Sequence, residues 1–300
     1  MILNKPKSIL LILYLLLFIN HYSNATILVL PESGDIVGEI KYARSEIGET
    51  IDEVGRRFNI GYYEMVRANP HADPIHPLAA NTSLIIPAQF ILPHVRRSGI
   101  VINLAEYRLY YFPTDENVVI TFPVGIGKEG WNTPLGLTKI TAKVVNPGWR
   151  PTAKVLAAAD EIGAFIPDYF PPGPNNPLGK HALRLGWPTF LIHGTNRVDG
   201  VGARVSAGCI RMLPDDIEYL FSIVAVGTSV RVINEPVKIG RAQNSVYFQM
   251  HPLLVEQKNT KLRVILEKKL NAMNIKNWNT NKTIQNELAY PSGVVKKLNG

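Results

Sequence analysis

The chain has 300 residues, 46% of them hydrophobic, and a formal net charge of +8. Length and apolar content suffice for one or two ordinary cores, which excludes a small scaffold that must be stapled by disulfides. One cysteine and scattered histidines without ligand spacing do not make a zinc site, and the positive balance favours an anionic neighbour without choosing among nucleic acid, a phospholipid surface and an acidic wall polymer.

In chain order, "MILNKPKSILLILYLLLFINHYSNAT" carries Lys5 and Lys7, an apolar run from Ile9 to Ile19, and then Ser23 and Ala25 at small-residue spacing. The pattern predicts a signal peptide over 1–25, cleaved after Ala25, with an uncleaved anchor as the alternative. No cysteine directly follows the apolar run, so a lipid-modified N-terminal cysteine is not expected.

Residues 39–88 read as a small module. "GEIKYAR" has strand character. Thr50 and Glu53 are spaced as a capping box, which predicts a helix starting at Ile51 with Ile51, Val54 and Phe58 on one face. "GYYEMVRANP" predicts a second helix stopped at Asn69–Pro70, and "SLIIPAQ" a strand closed by Pro87. Strand, helix, helix and strand within about fifty residues, with "ETIDEVGRRFNIGYYEMVRANP" and "SLIIPAQ", resemble a LysM module. That resemblance implies a grip on glycans containing N-acetylglucosamine; the alternative is a structural appendage with no glycan affinity.

Residues 97–234 change to β texture. "GIVINLAEYRLYYFP" predicts two strands around Leu104–Glu106, and "VVITFPVGIG", "GLTKITAKVVNP" and "HALRLGWPTFLIHGT" predict more. "FIPDYFPPGPNNPLGK", from Phe165, is too rich in Pro, Gly and Asn for regular structure and reads as a long functional loop. "LPDDIEYLFSIVAVG" predicts a helix with Pro214 and two aspartates at its start, and "TSVRVIN" a closing strand. Residues 235–300 read as a basic, partly helical extension with apolar helical spacing from Leu262 to Met273, that is, a solvated helix with a frayed tail; the alternative is a membrane- or polymer-binding helix.

The chemistry concentrates in "HGTNRVDGVGARVSAGCIRM", His193 to Met212. A lone cysteine in an exported chain is either an inert buried thiol or a reactive one. Gly208 before Cys209 permits a tight turn whose N–H groups can converge as an oxyanion hole, and Ser206 adds a hydroxyl. Arg211 suits a carboxylate, and together with the positive end of the helix near Pro214 it would favour a thiolate. His193 ends an apolar strand and can serve as base to the thiol, with His181 as a rival.

"IHGTNRVDGVGARVSAGCIRM" resembles the active-site signature of the L,D-transpeptidases, the YkuD-domain family. "VINLAEYRLYYFP", "PVGIGKEGWNTPLG", "PPGPNNPLGKHALRLG" and "VGTSVRVINEPV" extend the likeness over most of 99–234. The resemblance implies a mainly β fold with some α, with a β-sandwich-like catalytic domain joined to the βααβ module and the partly helical tail. It implies Cys209 as nucleophile and His193 as general base, the Gly194 carbonyl orienting His193, and Ser206, Gly208 and Arg211 shaping the oxyanion and substrate pocket. Ala207 stands where many members carry a second histidine. The implied reaction is a thioester on Cys209 with a peptidoglycan tetrapeptide stem, release of D-Ala, and transfer to an amine of another stem, to an envelope protein, or to water. The implied location is the periplasm. The expected partners are peptidoglycan stem peptides and glycan strands, with carbapenem-type inhibitors and no cofactor. Nucleic-acid binding is not expected, since no groove-binding motif is present and the excess charge reads as spread out. Two other readings stand beside this one: a wall-tethering protein built around the LysM-like module, and a secreted cysteine peptidase or amidase.

Overall fold

The computed structural model describes residues 25–257 and 259–298. The predicted signal peptide lies outside them except for Ala25. No helix among the described residues is long and apolar enough to cross a membrane.

The chain opens with β1 (Thr26–Val29) and β2 (Ile36–Gly38). The βααβ unit follows as β3 (Lys41–Arg44), α1 (Ile51–Arg57), α2 (Tyr62–Ala68) and β4 (Ser83–Ile86). The capping box is formed: Thr50 Oγ1 accepts from the Glu53 N–H at 3.3 Å and Glu53 Oε2 accepts from the Thr50 N–H at 2.8 Å. Two orphan donors are thereby satisfied where the apolar face of α1 begins, and Ile51 and Val54 drop into the core. β3 pairs antiparallel with β4, and β5 (Gln89–Ile91) pairs back onto β2.

The catalytic region contributes β6 (Gly99–Asn103), β7 (Arg108–Phe112), β8 (Val118–Pro123), β9 (Ile126–Gly127), β10 (Gly136–Val145), α3 (Ala153–Glu161), β11 (His181–Leu185), β12 (Leu191–His193), β13 (Arg204–Ser206), β14 (Ile210–Arg211), α4 (Pro214–Ile223) and β15 (Ser229–Ile233). Nine strands form one sheet in the order β1-β8-β7-β6-β15-β10-β11-β12-β14. A register shift in the β10–β11 pair between Ile140 and Ala142 bends the sheet there.

Both faces of β6–β8 are covered, which is why these segments read as near-continuous apolar runs rather than alternating ones. Ile100, Ile102, Leu109, Ile120 and Phe122 enter the core that α4 closes. The intervening Val101, Tyr110, Phe112 and Val119 face the other way and pack with Val54, Met65, Leu84 and Phe90 of the N-terminal unit. The period of two thus splits one hydrophobic run between two cores.

The tail differs from the expected solvated helix. β16 (Val237–Ala242) and β17 (Ser245–Met250) form a hairpin, and β18 (Lys296–Leu298) pairs with β17. α5 (Leu262–Ala272) and α6 (Lys282–Ala289) bury Leu266, Leu270 and Ile284 against Ile239 and Phe248. The fully buried Lys238 binds Glu106 at 2.5 Å and ties this unit to the β-rich region before it. The charge is also concentrated rather than spread: residues 235–300 hold 11 Lys and Arg against 4 Glu, so +7 of the net +8 lies there.

Candidate active site

The parallel pairing of β12 with β14 sets His193 beside Arg211 and Ile192 beside Ile210. Side chains of register partners share a face, so Ile192 and Ile210 enter the core while His193 and Arg211 emerge together on the opposite side. There they line a cavity of about 330 Å3 with Ser206, Ala207 and Cys209. Cys209 thus arrives at the mouth of the strand that pins Arg211 and lines the same cavity as His193.

The turn before Cys209 is locked from two sides. Ser206 Oγ donates to the Cys209 carbonyl at 2.6 Å and accepts from the Gly208 N–H at 3.1 Å. Thr133 Oγ1 donates to the Gly208 carbonyl at 2.9 Å. Gly208 has φ +105°, and a Cβ there would stand 2.9 Å from Phe190 Cε1, so both the backbone conformation and the space demand glycine. The Ser206 hydroxyl and the Gly208 N–H, expected to face an oxyanion, are therefore engaged in building the turn.

His193 is 4% exposed, and its Nδ1 lies 2.6 Å from the Gly194 carbonyl. With the Nδ1 proton donated there, Nε2 is the basic nitrogen. Burial lowers the His193 pKa to about 4, reinforced by the nearby Arg211 charge and opposed by the Gly194 hydrogen bond. Burial likewise pushes the Cys209 thiol up, against smaller opposing effects of a Leu191 backbone hydrogen bond and Arg211. The thiol contacts the Thr189 carbonyl at 3.5 Å. The resting pair is consequently a neutral thiol and a neutral imidazole, not the thiolate expected from Arg211 and the helix near Pro214. In the first turn of that helix the Asp216 carboxyl accepts from Asn59 Nδ2 at 3.0 Å. Arg211 is half-buried, its pKa lowered by burial, and its Nε has no partner among the described residues.

His181 does not line this cavity; its ring packs 4.7 Å from that of Phe221 on the α4 side of the sheet. Sequence reasoning missed the opposite wall. α3 was not predicted, although Thr152 caps it and an alanine-rich stretch follows, the standard helix-start signal. Val155, Ala158 and Ala159 of α3 line the cavity with Trp149 and Leu178. Trp131, from the "GKEGWNTP" segment, lies under two ammonium groups, Lys154 at 4.3 Å and Lys128 at 5.0 Å from its ring centroid. Lys128 and Arg211 line the cavity and no carboxylate does, so it favours an anionic occupant. Among the described residues no group of acids, His and Cys could hold a metal ion.

A family model described as the L,D-transpeptidase catalytic domain matches residues 97–233. The probable L,D-transpeptidase YcfS of Escherichia coli K12 is 42% identical over 235 residues, covering 76% of this chain and 73% of that protein. The chain belongs to the L,D-transpeptidase family. The probable L,D-transpeptidase ErfK/SrfK of the same organism is also 42% identical, over 229 residues, covering 75% of this chain and 73% of that protein. Among solved structures, the catalytic domain of the E. faecium L,D-transpeptidase aligns at a TM-score of 0.36 and 22% identity, covering 47% of this chain and 100% of that one. In this L,D-transpeptidase the matched region begins two residues before β6 and ends with β15, so it contains the whole cavity wall from Lys128 to Arg211.

Proposed function

We propose that this enzyme is an exported, periplasmic L,D-transpeptidase acting on the tetrapeptide stems of peptidoglycan through a Cys209 thioester. The observation that carries the reading is the meeting of Cys209, a neutral His193 with a free Nε2, and Arg211 in one cavity without a carboxylate. The amino-terminal signal pattern supports export.

The donor stem places its carboxylates toward Arg211 and Lys128, with the carbonyl of its third residue over Cys209. As sulfur attacks that carbonyl carbon, His193 Nε2 takes the thiol proton, so the nucleophile is activated only with substrate in place. The tetrahedral intermediate collapses, His193 returns the proton to the departing D-Ala nitrogen, and a thioester remains. An acceptor amine then attacks the thioester, His193 takes its proton, and Cys209 leaves to be reprotonated. The thioester stores the free energy of the broken amide, so no nucleotide is needed. An amine from another stem gives a 3-3 crosslink, an envelope-protein amine gives anchoring, and water gives L,D-carboxypeptidase activity. The strand–helix–helix–strand order of β3–β4 supports a LysM-like role for that unit as an additional glycan grip.

The test is intact-mass spectrometry of the mature protein with a disaccharide tetrapeptide, with and without an amine acceptor. The reading expects an adduct lost in Cys209→Ala, and a His193→Ala rate lower by about 100-fold or more. No adduct on the native chain under conditions where a carbapenem acylates Cys209 would overturn the substrate assignment.

A further inference from the structure

A second concavity, of about 680 Å3, lies in the C-terminal unit, away from the Cys209 cavity. Trp278, Ile275, Val246 and Leu298 give it apolar walls, and Lys276 and Asn277 add polar ones. Among the described residues no carboxylate lines it. Two other surface cavities differ on this point: one beside Lys180 carries Asp215 and Glu218, and one on the βααβ unit carries Glu46, Glu49 and Glu53.

Cations frame the groove. Arg241, Val246 and Leu298 are register partners across β16, β17 and β18, so they share a sheet face, with Arg241 exposed at the end of the row. The Arg263 guanidinium stands 5.5 Å from the Trp278 ring centroid. Lys282 is exposed one residue beyond the lining Asn281. Of the four glutamates of this unit, Glu267 is exposed on α5 and the other three are engaged in ion pairs. Glu235 binds Lys269 at 2.5 Å, Glu287 binds Lys296 at 3.3 Å, and Glu256 binds Arg204 at 2.5 Å. Arg241, Lys276 and Lys282 form no ion pair among the described residues.

A tryptophan face with amide and hydroxyl groups beside it suits a sugar ring, and uncompensated ammonium and guanidinium groups suit carboxylates. The apolar side chains line a concavity instead of projecting from the surface, which fits a strand laid into a groove and not insertion into a bilayer. The Cys209 cavity has the same composition, with tryptophan, apolar wall and cations and no acid. We infer that this groove is a second, non-catalytic binding site for the anionic glycopeptide polymer: a sugar ring stacks on Trp278 while stem-peptide carboxylates pair with Lys276, Lys282 and Arg241. The inference rests on peptidoglycan being the substrate. It gives the basic C-terminal unit the task of holding the polymer while Cys209 works on one of its stems.

The experiment pellets the mature Cys209→Ala chain with purified insoluble peptidoglycan, beside the same chain carrying Lys276→Glu and Lys282→Glu. The expected result is an apparent Kd raised roughly tenfold by the double reversal, equivalent to about 1.4 kcal/mol, and binding that weakens as salt rises. Acylation of Cys209 by a soluble disaccharide tetrapeptide, measured with the double reversal in the native-cysteine chain, should be unchanged, which also shows that the variant is folded. An unchanged Kd overturns the inference, as does pelleting with phosphatidylglycerol vesicles as tight as with peptidoglycan. Failure of the native chain to form the thioester with the soluble stem is a different result: it overturns the substrate reading itself.

Discussion

His193 and Cys209 owe their protonation states to the same cause, removal from water at the end of β12 and the start of β14. An acid and a base that are both neutral exchange a proton only when an attacking geometry makes the transfer worthwhile. His193 must be unprotonated to act, and its pKa is lowered from 6.5 to about 4. The acid limb of kcat/KM for thioester formation is therefore expected near pH 4, with a level region through neutrality; a limb near pH 6.5 would show an imidazole in ordinary water. Iodoacetamide should alkylate the free enzyme mainly above the usual cysteine range, because burial raises the thiol from 9.0. The residue types at this site were legible in sequence, since Gly208–Cys209 and a histidine ending an apolar strand carry recognisable chemistry. Their protonation was not, because desolvation depends on walls contributed by Trp149, α3 and Leu178, far along the chain. The roles read for Ser206 and Gly208 also shifted, because a hydroxyl two residues from a glycine closes a turn as readily as it faces a substrate.

The long loop after α3 is irregular in secondary structure yet tightly fastened. Asn176 is 1% exposed, and its Nδ2 donates to the carbonyls of Pro147, Phe170 and Pro171 at 2.8, 3.2 and 3.1 Å. Its Oδ1 accepts from the Leu178 N–H at 2.9 Å, just where Leu178 enters the cavity wall. Trp149 and Phe170 exchange two backbone hydrogen bonds, at 2.9 and 2.7 Å, at the loop's base. Asn176→Ala should cost about 1–3 kcal/mol in denaturant unfolding, as buried acceptors lose their donor. It should also raise the ratio of hydrolysis to amine transfer, since Leu178 then no longer closes the wall against water; an unchanged ratio would assign the loop a purely structural part. Composition announced a loop here, but hydrogen bonds from one asparagine to three carbonyls leave no periodic trace. α3 and the β16–β17 hairpin went unread for a related reason: each is short, and its apolar face is completed by residues distant in sequence.

At the scale of the whole molecule, the N-terminal unit is joined to the catalytic region by buried polar groups. Arg108, fully buried, donates from Nε to Glu64 Oε1 at 2.8 Å and from Nη2 to Glu64 Oε2 at 2.7 Å, and stacks 4.4 Å from the Phe90 ring centroid. Beside it, Asn59 of the α1–α2 connection meets Asp216 of α4. Burial raises the Asp216 pKa from 3.8 to about 7, opposed by the Asn59 hydrogen bond and by Arg108. Between those two pH values the folded protein holds a proton that the unfolded chain has released, so this group's contribution to stability declines as pH rises toward 7. Unfolding free energies measured from pH 5 to 8 should show that decline, and Asp216→Asn, which stays neutral, should lose it; an identical slope in both proteins would place the buried proton elsewhere. Nothing in the sequence pairs residue 59 with residue 216, so this seam could only be seen folded. The nine-stranded sheet has a further consequence at its outer margin. Among the described residues β1 pairs only with β8, and its Ile27 and Val29 side chains are exposed. "TILV" contains neither a lysine nor a proline to discourage a foreign strand, so the free rim of β1 is a template for edge-to-edge aggregation, and concentrated solutions of the protein should self-associate there first.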